Sequence, residues 1–134
     1  MYKKIIVGLS LEHGIADRAL RTARALGDDD AEILAVHVAE PLQGSVRFYI
    51  AEEDMKKARE QMEESLRERL ASHPGVTPVV IDGHAGQSLA DYAGTIGADC
   101  IVVASHKPGL RDFLLGSTAA RIVRHAPCSV HVLR

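Results

Sequence analysis

The sequence predicts an open, doubly wound α/β sheet of five parallel strands with helices on both faces, in a single domain spanning residues 1–134. Three observations predict it. Five short runs rich in Val, Ile, Leu and Ala are separated by four segments with helical periodicity. Strands joined through helices must run parallel, by right-handed crossovers. Aromatic residues make up only 4% of the chain and Trp is absent, so the core must be aliphatic, as suits a buried parallel sheet.

Each element follows in order. Lys3 to Leu9, KKIIVGL, is a short buried strand. Glu12 through Leu26 is a helix: Ile15, Ala19, Ala23 and Leu26 recur on one face, with Asp17, Arg18, Arg21 and Arg24 on the other. Gly27 stops it, and Asp28 to Asp30 form a solvated turn. Ala31 to Ala39 is the second strand, ended by Pro41, and Leu42 to Ile50 is a loop with some apolar anchors. Glu52 to Leu70 is the clearest helix, acidic early and carrying Arg67 and Arg69 late, in the order that complements its dipole. Met55, Ala58, Met62, Ser65, Leu66 and Arg69 trace the face expected to pack on the sheet.

His73 to Val76 is a turn, and Val76 to Ile81 a third strand whose Pro78 calls for an edge position or a later start. Asp82 to Ser88 reads as a Gly-containing turn before a helix over Leu89 to Ile96, ended by Gly97. Asp99 to Ala104 is a fourth strand, apolar on both faces; Gly116 to His125 holds another helix, and Cys128 to Leu133 is the fifth strand. In such sheets ligands sit beyond the carboxyl ends of the strands, where the strand order reverses. The segments after strands one, two and four are therefore the candidate site.

Bulk properties narrow the function. Net charge is −2 and the pI about 6.4, which gives no footing for nucleic acid or an anionic membrane. The apolar runs are too short to span a bilayer, and the run after Lys3 and Lys4 stops at Gly8, too early for a signal peptide. The expectation is a cytoplasmic protein. Its two cysteines, Cys100 and Cys128, read as small buried thiols rather than a disulfide or a metal site.

The chain lacks Gly-x-x-x-x-Gly-Lys-Ser/Thr, Gly-x-Gly-x-x-Gly after its first strand, and Gly-x-Ser-x-Gly, so a P-loop, dinucleotide binding and a serine hydrolase have no support. What it has is Ser105, His106 and Lys107 after strand four, a Pro-Gly turn, an apolar Phe-Leu-Leu, and then Gly116, Ser117 and Thr118 opening a helix. Ser117 or Thr118 is the expected N-cap. A helix start beside a glycine suits an anion by its donors and its dipole, with Lys107 or Arg111 adding charge. Among the histidines, His37 and His131 read as structural residues in strands. His13, His73 and His84 read as exposed turn residues, His125 as a cation at a helix end, and His106 as the one candidate for the site. Asp82 reads as a solvated turn residue. Nothing supplies the nucleophile and base pair of a dedicated enzyme.

The order KKIIVGLS, LAVHV, GADCIVVASH and LLGSTAARIVRHAPCSVHVLR resembles the universal stress proteins over essentially the whole chain. In that family the end of strand four carries Gly, two residues, Gly, nine residues, then Gly-Ser/Thr. Here Ala104 stands at the first glycine, and the run from Lys107 to Gly116 is one residue short. The Ala-Ser-His-Lys-Pro loop and Leu-Leu-Gly-Ser resemble a subgroup regarded as ATP-binding. The resemblance implies ATP, or AMP or ADP, with Mg2+ as a companion of the phosphates. By position, Val38 would meet the adenine through its backbone, and Gly8, Leu9 and Ser10 would flank the nucleotide. Val103, Ala104, Ser105, His106 and Lys107 would line the ribose and first phosphate. Gly116, Ser117 and Thr118 would hold the outer phosphates. The resemblance also implies a homodimer through the last strand, whose exposed edge invites pairing. Turnover, if any, is slow hydrolysis or self-phosphorylation. The rival readings are a nucleotide-free dimeric interaction protein and a regulatory subunit of a membrane transporter.

Overall fold

The computed structural model describes residues 1–10, 15–41, 44, 49–105 and 115–134. Within them the chain runs β1 (Tyr2–Gly8), α1 (Ala16–Leu26), β2 (Gly27–Ala39), α2 (Glu52–Arg69), β3 (Val76–Asp82), α3 (Ala85–Ile96), β4 (Cys100–Ala104), α4 (Ser117–His125) and β5 (Ser129–Leu133). The strands form one parallel sheet in the order β3-β2-β1-β4-β5. The chain builds outward from β1 to β3, then returns to the other side of β1 to place β4. The order therefore reverses between β1 and β4, and their carboxyl ends mark the point where sheets of this kind form a ligand crevice.

Strand side chains alternate between faces. Ile5, Val7, Ile33, Ala35, Cys100 and Val102 pack on one side, against Ala19, Leu20 and Ala23 of α1 and Leu66 of α2. Ile6, Leu34, Val36, Ile101 and Val103 pack on the other, against Leu89 and Ala93 of α3 and Ala119 and Ile122 of α4. A central strand with apolar residues at every position thus feeds two cores at once, which is why β1 and β4 read as continuous apolar runs.

The Gly97-Ala98-Asp99 corner fastens the amino pole. Gly97 ends α3 in the left-handed region, at φ 71°, a conformation glycine adopts without a Cβ penalty. The Asp99 carboxylate then accepts the N–H of Lys3 at 2.9 Å and of Lys4 at 3.0 Å, and the Asp99 N–H donates to the Lys4 carbonyl at 2.9 Å. Lys4 Nζ donates to the Ile96 carbonyl at 3.0 Å. An Asp99→Ala variant strands two amides and is expected to lose ~1–3 kcal/mol of stability, read as a lower urea midpoint. An unchanged midpoint would contradict that role.

Several details differ from the sequence expectations. Asp28 to Asp30 are not a turn: β2 starts at Gly27, and the pairing skips from Tyr2 opposite Gly27 to Lys4 opposite Glu32, so the three aspartates lie in an irregular extended stretch. The α1 helix is described from Ala16, capped by Ile15; the expected start at Glu12 lies outside the described residues. The face proposed for α2 packs only at its carboxyl end. Leu66 and Leu70 are buried, whereas Met55 and Ala58 are exposed, because residues 51–58 reach beyond the cover of the sheet. Ala85 to Ser88 belong to α3 rather than to a turn. His73 is not exposed: its side chain is 11% accessible, and its Nε2 lies 2.8 Å from the Asp17 carboxylate. Asp82 is solvent-exposed, as read, but it ends β3 rather than lying in a turn, and it pairs with Arg59, which also donates to the Val80 carbonyl at 2.8 Å. Pro78, by contrast, agrees with the sequence expectation of an edge position: β3 is an outer strand, where a missing N–H costs no ladder bond on the outer side.

Cys100 and Cys128 are free thiols, as read from the sequence. Burial, then Cys128, then Asp99 push the Cys100 thiol from 9.0 to about 11, and burial and Asp99 raise Cys128 as well. A thiol whose folded pKa is raised favours folding below the unfolded pKa and ceases to as pH climbs through the folded one. The expected result is a loss of up to ~3 kcal/mol between pH 9 and 11 that is smaller in Cys100→Ala. Denaturation midpoints of both proteins across that range check it, and parallel pH profiles would contradict it.

Candidate functional site

The crevice is built from the last residues of β1, β2 and β4 and the first turn of α4. Gly8 closes β1. A Cβ on it would stand 2.9 Å from Leu89 Cδ2 and 3.1 Å from Val103 Cγ1, so the missing side chain lets β1, β4 and α3 close up at the rim. Leu9 follows, its side chain buried at 5% exposure and its N–H donated to the Val36 carbonyl at 2.9 Å. Ser10 is exposed beyond it. In β2, half-buried Val38 lies opposite Ile81 of β3, and the Gly83 N–H donates to the Ala39 carbonyl at 3.1 Å.

On the other flank, Val103 and Ala104 pair with Val132 and Leu133. Ser105 is 2% exposed. Its N–H donates to the Leu133 carbonyl at 2.7 Å, and its carbonyl accepts the Gly116 N–H at 2.6 Å. That bond joins the tip of β4 directly to the start of α4, so residues 105 and 116 are brought together across the crossing. His106, Lys107 and Arg111 lie outside the described residues.

Two expectations about α4 are revised. Its N-cap is Gly116, in extended conformation at φ −60° and ψ 153°, and not Ser117 or Thr118, which lie inside the helix. The Gly116 amide is also committed to Ser105, so it is not among the donors open to an anion in this state. The first-turn N–H groups of Ser117, Thr118 and Ala119 have no acceptor within α4, since the first bond of this helix end runs from the Ala120 N–H to the Gly116 carbonyl at 2.9 Å. With Arg124 and His125 in the last turn, the helix is charged in the sense that complements its dipole.

α4 lies beside α3 on one face of the sheet. Gly86 makes the approach close: a Cβ there would meet the Arg121 side chain at 2.9 to 3.1 Å. The first turn of α3 consequently lies beside the second turn of α4. Sequence reasoning missed this neighbour, and it missed the bond from His37 Nδ1 to the Leu9 carbonyl, 3.1 Å long, which fixes the tip of β1 to β2. The glycine inside the Asp82 to Ser88 stretch was a signal for the first. The second joins residues 28 apart and leaves no local mark.

The comparisons with known proteins place this architecture. A model described as the Universal stress protein family matches residues 1–134. The chain belongs to the universal stress protein family. Universal stress protein G of Shigella flexneri is 32% identical over 143 aligned positions, covering all of both chains. Among solved structures, a universal stress protein from Archaeoglobus fulgidus in complex with dAMP shares the fold at a TM-score of 0.64, with 21% identity over 99% of this chain and 98% of that one. An Arabidopsis thaliana family member with AMP bound shares it at 0.61, with 19% identity over 98% and 90%. This universal stress protein therefore has the five-stranded parallel architecture of its relatives. Among its described residues no helix is long and apolar enough to cross a membrane.

Proposed function

We propose that this universal stress protein binds an adenine nucleotide at the carboxyl rim between β1 and β4, and that the bound state regulates a partner in a stress response. One observation carries the reading: the strand order reverses at β1 and β4, and the start of α4 is tied to that point by the Ser105–Gly116 bond. Family members of the same fold hold AMP or dAMP. Val38 offers backbone groups to the adenine. Gly8, Leu9 and Ser10 flank the nucleotide, and Val103, Ala104 and Ser105 line the ribose, with His106 and Lys107 beyond them. Ser117 and Thr118 supply amide and hydroxyl donors to phosphate, with Gly116 between them and β4. Mg2+ would arrive on the phosphates of ATP or ADP, since among the described residues no three His, Cys, Asp or Glu side chains form a metal cluster. Any hydrolysis or self-phosphorylation is slow.

The domain is proposed to act in the cytoplasm as a homodimer through β5, an outer strand of the sheet. Sedimentation should then give a dimer at micromolar concentration, and monomer alone would contradict it. A second reading has its own support: the committed Gly116 amide, together with Ala104 in place of the family's first glycine, favours a nucleotide-free interaction protein, such as a transporter subunit. Calorimetry with ATP, ADP and AMP separates the two. The nucleotide reading expects one saturable site and, at a hundredfold excess over Kd, a stabilisation of ~2.7 kcal/mol. No heat and no thermal shift with any of the three would leave the interaction reading.

A further inference from the structure

We propose that His37 is a positioning residue for the nucleotide site, setting the orientation of the Leu9–Ser10 peptide at the crevice; this rests on the nucleotide reading above. Its own strand shows where the ring lies. Ile33 and Ala35 of β2 belong to the core under α1 and α2, while Leu34, Val36 and Val38 belong to the core under α3 and α4. By alternation His37 projects to the α1 side, behind Val38. Its Nδ1 lies 3.1 Å from the Leu9 carbonyl oxygen. A carbonyl only accepts, so Nδ1 carries the proton, and it does so in both the neutral and the charged ring.

Leu9 is thereby held from three directions. Its N–H reaches the Val36 carbonyl at 2.9 Å, its side chain is buried, and its carbonyl receives the imidazole. No peptide bond among the described residues is cis, so the Leu9 C=O and the Ser10 N–H point in opposite directions across one rigid plane. With the carbonyl turned to β2, the next N–H is directed away from β2, and β4 is the neighbour of β1 on that side. β1 has ended at Gly8, and Leu9 lies past the last residue of its ladder. Without the ring donor, the Leu9 carbonyl loses a contact from β2 that sets its direction. The geometry of the β1 flank of the crevice thus depends on a side chain that does not itself touch the nucleotide.

Three proteins test it, with AMP as the probe: wild type, His37→Phe, which keeps a ring and removes the donor, and His37→Asn, whose amide nitrogen falls near the Nδ1 position. His37→Phe is expected to weaken AMP binding about tenfold, and His37→Asn to stay within about threefold of wild type. Thermal midpoints are measured alongside, since a purely structural role would lower the midpoint and leave the Kd of the folded molecule unchanged. If His37→Phe does not fold, His37→Leu, which also lacks a donor, takes its place. Unchanged Kd in the donor-less variant, or equal losses in it and His37→Asn, overturns this inference alone. Wild-type protein that takes up neither AMP, ADP nor ATP overturns the nucleotide reading and this inference with it.

Discussion

An Ile6→Ala variant unfolds with ~2–5 kcal/mol less stability than the parent protein. Ile6 is fully buried in β1, directly between Leu34 of β2 and Ile101 of β4, in the core under α3 and α4. A strand hydrogen-bonded on both sides has little freedom to move inward, so the deleted methylene groups leave a cavity as well as lost transfer energy. Urea unfolding checks this as a lower midpoint at unchanged slope. The matched control is Met55→Ala on the exposed start of α2, expected within ~0.5 kcal/mol of wild type. A loss at Ile6 no larger than at Met55 would contradict the two-core description.

Gly116→Val is expected to remove the proposed nucleotide binding, with a loss of affinity of more than about a hundredfold, while the fold survives. The backbone permits the change: Gly116 has φ −60° and ψ 153°, an extended conformation open to any residue. The cost to folding is that of a poorer N-cap, ~1 kcal/mol. The cost to binding is larger, because a branched side chain would stand beside the Ser117 and Thr118 amides at the start of α4. Calorimetry with AMP and a thermal melt on the same sample read the two effects separately. Undiminished affinity would show that the phosphates do not sit at this helix start.

Much of the architecture is legible in the residues because it rests on local pattern. The apolar runs at Ile5–Val7 and Cys100–Val103 announce strands buried on both faces, and the small residues of α1 and α4 mark helices packed close to a sheet. The carboxyl rim follows from parallel strands alone, without any ligand. What escaped are features that long-range contacts decide. The aspartates after Gly27 look like a turn, yet pairing to β1 draws them into β2. The apolar stripe of α2 is continuous in sequence, but the sheet reaches only its carboxyl half. His73 and Asp82 are bland by themselves and acquire partners 56 and 23 residues away. In the site, the glycine before a hydroxyl pair marked the helix start correctly, but which residue caps it and which amide is already bonded depend on the Ser105 carbonyl. His37 illustrates the same limit: a strand histidine reads as core, and only the fold brings the tip of β1 to its ring.

The central claim is that an adenine nucleotide lodges where β1 and β4 part. Titrating AMP into isotope-labelled protein and mapping the amide shifts tests it most directly. Saturable shifts are expected, concentrated at Gly8 to Ser10, Val38, Val103 to Ser105 and Ser117 to Ala119, with the Gly97 to Asp99 corner unmoved. Shifts centred on that amino-pole corner or on the outer face of α2, or none at all, would contradict it.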